Sequence, residues 1–207
     1  MNAIRRFFDV STYNVAEWIP FLRIIATPFI FASILLDVRI YTGFLYMVVF
    51  MSDAVDGFVA RTYKLVTLRF ARLDSTGDML MLVVGLYGFY YFEKAFFLNH
   101  WILIATVVLM YILQQVFSLV RFGRATSFHT VSAKASGVMQ TIFFSSMFIF
   151  GVSPWLFYVM VALSVIETLE ETSLVFIFKE WKYNVKGLYW VLKRRQRIGQ
   201  NRQEMKR

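Results

Sequence analysis

The chain has no cysteine anywhere in its 207 residues. That absence excludes disulfide staples, thiolate zinc sites, iron–sulfur clusters and cysteine nucleophiles together. Histidine is nearly absent too, with only His100 and His129, which leaves little from which to build an H-E-x-x-H zinc helix or a Ser-His-Asp triad. Acidic residues are scarce, 13 Asp+Glu against 22 Lys+Arg, and the imbalance is local. Ten basic and two acidic residues fall between Lys179 and Arg207, so the rest of the chain is almost neutral. The basic excess is therefore a tail rather than a nucleic-acid-binding face. The opening residues MNAIRRFFDVSTYNVAEWIP carry Asp9 and Glu17 where a signal peptide needs an apolar core, so no cleaved leader is expected.

Apolar surface fills the space left by these absences. Hydrophobic residues make up 58% of the chain and aromatics 19%, with a mean hydropathy of +0.58. Soluble domains run nearer ~45–50% apolar, so the expected solvent for most of this chain is lipid. Six stretches approach the ~20 apolar residues that a membrane-spanning helix needs: Val15–Leu36, Ile40–Ala60, Phe70–Phe92, Trp101–Phe122, Ala133–Val152 and Trp155–Phe178. The third has Asp74 and Asp78 in its first turns but is unbroken and apolar from Met79 to Phe92. There is no repeat or low-complexity segment. The expected fold is all-α, a polytopic bundle of six transmembrane helices with amphipathic juxtamembrane segments at both ends. Its parts are an N-terminal interfacial segment (1–13), a six-helix membrane domain (14–179) and a basic tail (180–207).

Alternate loops differ sharply in charge. One side collects Arg5, Arg6, Arg61, Lys64, Arg69, Arg72, Arg121, Arg124, Lys134 and the ten basic residues of the tail, nineteen in all, against Arg39 and Lys94 on the other. The positive-inside rule then puts both termini in the cytoplasm. Residues 2–10 and the tail stretch WKYNVKGLYWVLKRRQR interleave apolar or aromatic residues with basic ones, as helices lying on anionic lipid do. A positive-inside tail with no further role explains the same pattern.

Carboxylates inside the spans need a reason, since each costs roughly 2.5–3.5 kcal/mol to insert. Asp53, Asp56, Gly57 and Ala60 fall at i, i+3, i+4 and i+7 of the second span, and Asp74 and Asp78 at i, i+4 of the third. A short link makes those spans antiparallel neighbours, so four carboxylates converge near the cytoplasmic ends with no lysine between them. Two hard divalent cations, Mg²⁺ or Mn²⁺, bound through oxygen would relieve the repulsion. A binuclear oxygen site suits phosphoryl-type displacement, with a remaining carboxylate taking the nucleophile's proton. The same carboxylates also suit a cation or proton transporter.

The stretch Asp53-x2-Asp56-Gly57-x2-Ala60-Arg61-x8-Phe70-x3-Asp74-x3-Asp78 resembles the signature of the CDP-alcohol phosphatidyltransferase family, D-x2-D-G-x2-A-R-x8-G-x3-D-x3-D. Seven of the eight fixed positions match, and Phe70 stands where the signature has its second glycine. The resemblance implies transfer of a phosphatidyl group from CDP-diacylglycerol to an alcohol with release of CMP, by a homodimer. It also implies that Asp53, Asp56 and Asp74 hold the two metals and that Asp78 adds a ligand and acts as the general base. Gly57, Ala60 and Arg61 would line the CDP site. In the first span, where the family often has N-x2-T-x2-R, the chain has Glu17, Pro20 and Arg23. Asn14 and Glu17 have the spacing of an N-cap and its N3 partner, and Arg23 needs an acidic partner, which Glu17 or an aspartate could supply.

The acceptor side is less marked. Ala133–Gln140 resembles the G-K-x-K-T-x-x-Q segment of phosphatidylglycerophosphate synthases at Lys134 and Gln140, which makes glycerol 3-phosphate the first acceptor to consider. Lys134, Arg121 and Arg124 are candidate cations for an acceptor phosphate, although positive-inside or snorkelling roles also explain the two arginines. His129 reads as a polar loop residue or an acceptor contact. Glu167, Glu170 and Glu171 share part of one face of the sixth span, either pointing into the bundle or a subunit contact, or protonated and hydrogen-bonded. Besides transfer and transport, a catalytically silent family member is a third reading, motivated by Phe70.

Overall fold

The computed structural model describes residues 15–62, 67–124, 126, 128, 130–181 and 185–204. Among them there are eight helices and no strand: α1 (Val15–Leu35), α2 (Arg39–Thr62), α3 (Leu68–Phe92), α4 (Lys94–Asn99), α5 (Trp101–Phe122), α6 (Val131–Phe150), α7 (Pro154–Ile177) and α8 (Leu188–Glu204). The six long helices α1–α3 and α5–α7 match the six apolar stretches within a few residues at each end. Two stretches, Glu17–Leu35 and Trp101–Phe122, are long and apolar enough to cross a membrane among the described residues. The N-terminal interfacial segment lies outside the described residues, while α8 occupies most of the basic tail.

Local chemistry sets the helix ends. Asp37 takes a left-handed turn (φ 60°) between α1 and α2, a conformation that Asp tolerates better than most residues. Thr67 caps α3, its Oγ1 accepting the Phe70 N–H at 2.9 Å. Gly123 ends α5 in the left-handed conformation that a Cβ would disfavour (φ 67°). Pro154 opens α7 in the first turn, where its missing N–H would have had no intrahelical partner.

The chain forms two compact units: residues 1–99 with 141–154, and residues 100–140 with 155–207. In the first, α1 and α3 start at the same end, because Thr67, just before α3, donates a hydrogen bond to Glu17 at the start of α1. At the other end Arg39 pairs with Glu93 and donates to the last carbonyls of α6, at 2.7 Å to Met147 and 3.1 Å to Phe148. Its core is aromatic, with the Tyr46 ring packed at a tilt against Phe144 and Phe148 and its hydroxyl donating to the Met81 carbonyl at 3.3 Å. In the second unit, Phe128, Leu174, Val175 and Phe178 form a buried cluster onto which Val185, Leu188 and Val191 pack, seating α8.

Beside these apolar cores, several polar side chains are buried and many large apolar ones are exposed. Arg23, Thr42, Gln114, Ser118, Ser136, Ser164 and Glu171 are buried, while Phe29, Ile102, Val120, Phe150 and Trp155 are more than half exposed. Apolar exteriors with polar groups satisfied inside are what a hydrocarbon solvent selects.

Helix α3 is bare where aromatic rings press on it. A Cβ at Gly88 would lie 2.6 Å from two ring atoms of Phe148, a ring fully buried against Tyr46 and Phe92. Small residues at such contacts are the usual device for close helix approach in lipid. Gly88→Ala gains about 1 kcal/mol of helix propensity, but overpacking of a hemmed-in ring costs about 1–3 kcal/mol. The variant is expected to unfold at a lower temperature than the wild type in the same detergent.

Candidate active site

The site grows from the matched starts of α1 and α3. Two turns into α1, Arg23 is 2% exposed. A buried guanidinium cannot shed its proton and has five donors to satisfy. It donates from Nη1 to Asp78 Oδ1 at 2.7 Å, and the same nitrogen lies 3.5 Å from Asp74 Oδ1. Asp74 and Asp78 are one turn apart on α3, so their helical spacing delivers both carboxylates to one cation. Their settings differ: the Asp74 side chain is 7% exposed and that of Asp78 46%. Between them Gly77 leaves room for the arginine, since a Cβ there would sit 3.1 Å from Arg23 Cδ.

Asp53, Asp56, Gly57, Ala60 and Arg61 belong to the last turns of α2, which stays helical through Thr62. Their side chains lie outside the described residues. Among the described residues no three His, Cys, Asp or Glu side chains come together to hold a metal. The pair that is described, Asp74 and Asp78, offers all-oxygen anionic donors, the chemistry that Mg²⁺ and Mn²⁺ prefer, and fits such an ion on donor type.

Arg23 thus finds its acidic partners in the two α3 aspartates. Glu17 is otherwise engaged: it accepts from Thr67, and its Oε2 lies 3.8 Å from Arg69 Nη1. Asn14, its supposed capping partner, lies outside the described residues. Phe70 is 1% exposed in the first turn of α3, so its ring is directed into the protein.

The acceptor-side candidates belong to the second unit. Lys134 is exposed in the first turn of α6, a turn capped by Thr130, whose Oγ1 accepts the Ala133 N–H at 3.1 Å. Arg121 donates to the carbonyls of Phe178 (3.1 and 3.2 Å) and Phe176 (3.3 Å) at the end of α7, a cation at a helix C-terminus. Arg124 stacks 5.5 Å over the Trp181 ring. Gln140 bonds Ser136 and Ser164 at 3.3 and 3.2 Å. His129 lies outside the described residues.

Two of the α7 glutamates, Glu170 and Glu171, are hydrogen-bonded to neighbouring segments. Glu171, 8% exposed, accepts from Gln114 Nε2 at 2.8 Å, and that amide also donates to Thr126 Oγ1 at 2.7 Å. Glu170 accepts from Ser132 and from the first backbone N–H of α8, Leu188, at 2.7 Å. Gly77, Thr67 and the Gln114–Thr126–Glu171 network escape a reading of the sequence alone. Only Thr67 carries a local signal there, as a threonine just ahead of a helical run.

The CDP-alcohol phosphatidyltransferase family model matches residues 13–169, and the chain belongs to that family. No curated protein and no solved structure matches it. Membership makes it a transferase of lipid synthesis that works from a CDP-alcohol donor, in a family of integral membrane proteins that generally depend on divalent cations.

Thr67 does two jobs with one hydroxyl, capping α3 and holding Glu17. Thr67→Ala is expected to cost about 1–2 kcal/mol, the upper range for a lost N-cap, read as a lower unfolding temperature. Turnover per folded molecule should fall as well, because the start of α3 carries Asp74 and Asp78.

Proposed function

We propose that the chain transfers a phosphatidyl group from CDP-diacylglycerol to an alcohol and releases CMP, with glycerol 3-phosphate as the first acceptor to test. The observation that carries this reading is the pair Asp74 and Asp78 on successive turns of α3, one buried and one half exposed, at the signature spacing. Asp53, Asp56, Asp74 and Asp78 would hold two divalent cations, Mg²⁺ or Mn²⁺. Bound there, such ions neutralise the phosphate oxygens and the leaving group. Asp78, the accessible carboxylate, takes the proton of the acceptor hydroxyl. The acceptor oxygen bonds to the phosphorus that carries diacylglycerol, and the bond from that phosphorus to the CMP oxygen breaks. Gly57, Ala60 and Arg61 line the CDP side, and Lys134, with Arg121 and Arg124, serves the acceptor phosphate.

The same proposal includes six spans, both termini in the cytoplasm and a homodimer. The chemistry sits at the cytoplasmic face, where a water-soluble nucleotide and a bilayer lipid can meet. The divisions 1–13, 14–179 and 180–207 then separate membrane-lying and membrane-spanning parts. Tyr189, Trp190 and Leu192 are exposed on α8 beside Lys193 and Arg194, a surface suited to anionic lipid.

The test is CMP release by the purified protein from CDP-diacylglycerol with Mg²⁺ or Mn²⁺ and candidate alcohols. Release is expected to require both metal and acceptor. Flux that follows an ion gradient without CMP would establish transport instead, and activity that appears only in Phe70→Gly would mark a silent member. Asp78→Asn should lower turnover roughly 10²–10⁴-fold while CDP-diacylglycerol still binds. Lys134→Ala should raise the KM for a phosphorylated acceptor and leave the donor KM unchanged; an unaltered acceptor KM removes Lys134 from the pocket.

A further inference from the structure

We infer that Arg23 is a positioning residue and a built-in counter-cation of the carboxylate site, holding Asp78 by one oxygen and opposing the divalent ion that the aspartates bind. The inference rests on the reading of Asp74 and Asp78 as metal ligands. A guanidinium 2% exposed meets both carboxylates through the same nitrogen, at 2.7 and 3.5 Å. Gly77 gives it that seat, with α3 bare where Arg23 crosses. The arginine engages Asp78 from the buried side, while nearly half of the Asp78 side chain stays exposed.

Two consequences of opposite sign follow. A fixed positive charge beside metal ligands repels a divalent cation, so its removal tightens metal binding. The same charge fixes the orientation of Asp78, so its removal slows turnover. An arginine that merely supports the fold gives one sign only, since a loosened site binds metal less tightly and also turns over more slowly.

The experiment uses the full chain in detergent, with Mn²⁺ alone as the probe, followed by electron paramagnetic resonance of the free ion. CMP release is measured in parallel. Arg23→Gln is expected to bind Mn²⁺ about tenfold more tightly, the order set by one unit charge a few ångström from a divalent ion at the dielectric of water. Its kcat is expected to fall about 10–100-fold, the usual cost of losing a partner that orients a metal ligand, with the donor KM unchanged. Arg23→Lys keeps the charge, so its Mn²⁺ affinity stays near wild type and part of kcat returns. Gly77→Ala keeps the charge, and its new Cβ, 3.1 Å from Arg23 Cδ, asks that flexible side chain to yield by only a few tenths of an ångström, so Mn²⁺ affinity does not rise.

Unchanged or weaker Mn²⁺ binding by Arg23→Gln overturns the inference. If that variant does not fold, Arg23→Lys decides: Mn²⁺ binding that weakens together with kcat is the mark of a merely structural arginine and overturns the inference equally. A wild-type protein that binds Mn²⁺ but releases no CMP sinks the transferase reading, and the Mn²⁺ titrations still decide whether Arg23 opposes the cation.

Discussion

A guanidinium withdrawn from solvent on an apolar helix must be met by anions at contact distance, because burying an ion costs several kcal/mol even after relaxation. Arg23 imposes that demand on the first unit. It requires α3 to deliver Asp74 and Asp78 on one face, Gly77 to leave the space between them empty, and α1 and α3 to start level with each other. The Glu17–Thr67 hydrogen bond and the α3 cap fix that common start. At the far end, Arg39 binds Glu93 and two carbonyls of α6, so α3 is tied at both ends by arginines. Breaking a buried pair by deleting one partner typically costs about 3–5 kcal/mol, less where one partner, like Asp78, is half exposed.

The second unit shows how the same side-chain class serves a different end. Glu170 and Glu171 are answered by a hydroxyl, an amide and a backbone N–H. These donors tie Thr126 (through Gln114), the start of α6 and the first turn of α8 to the C-terminal third of α7. The α3 aspartates differ in kind: one of them is half exposed, and their shared partner is a fixed cation. Carboxylates are costly to bury wherever they sit, and it is the surroundings, not their presence, that separates a tether from a reactive group.

Much of this was legible in the sequence because lipid writes in long words. Six apolar runs of about 20 residues predict helices, and helices lie there within a few residues. The helical spacing of Asp74 and Asp78 was equally plain, since it needs only local geometry, and α3 brings both to Arg23. The partner of Arg23 was not, because Glu17 and the aspartates both lay within reach and only the packing of α1 on α3 chooses between them. Gly77 carries no local mark as a seat for a side chain 54 positions away in sequence. Thr126 reads as an ordinary loop residue until Gln114 and Glu171 are brought to it. The missing information in each case is the contact between helices, which no single helix encodes.

Phe70 shows why a departure from a signature must be weighed by its place. It sits one turn before Asp74 and is almost wholly buried, with its backbone N–H taken by Thr67. A ring there fills interior volume, and the Asp74 side chain one turn on is also hidden from solvent. The accessible side is the one that carries Asp78. On the proposed reading, replacing glycine by phenylalanine therefore alters the shape available to the donor, while the carboxylate that takes the acceptor proton keeps its exposure and its arginine. The substitution then bears on which donor fits before it bears on whether the transfer chemistry is present.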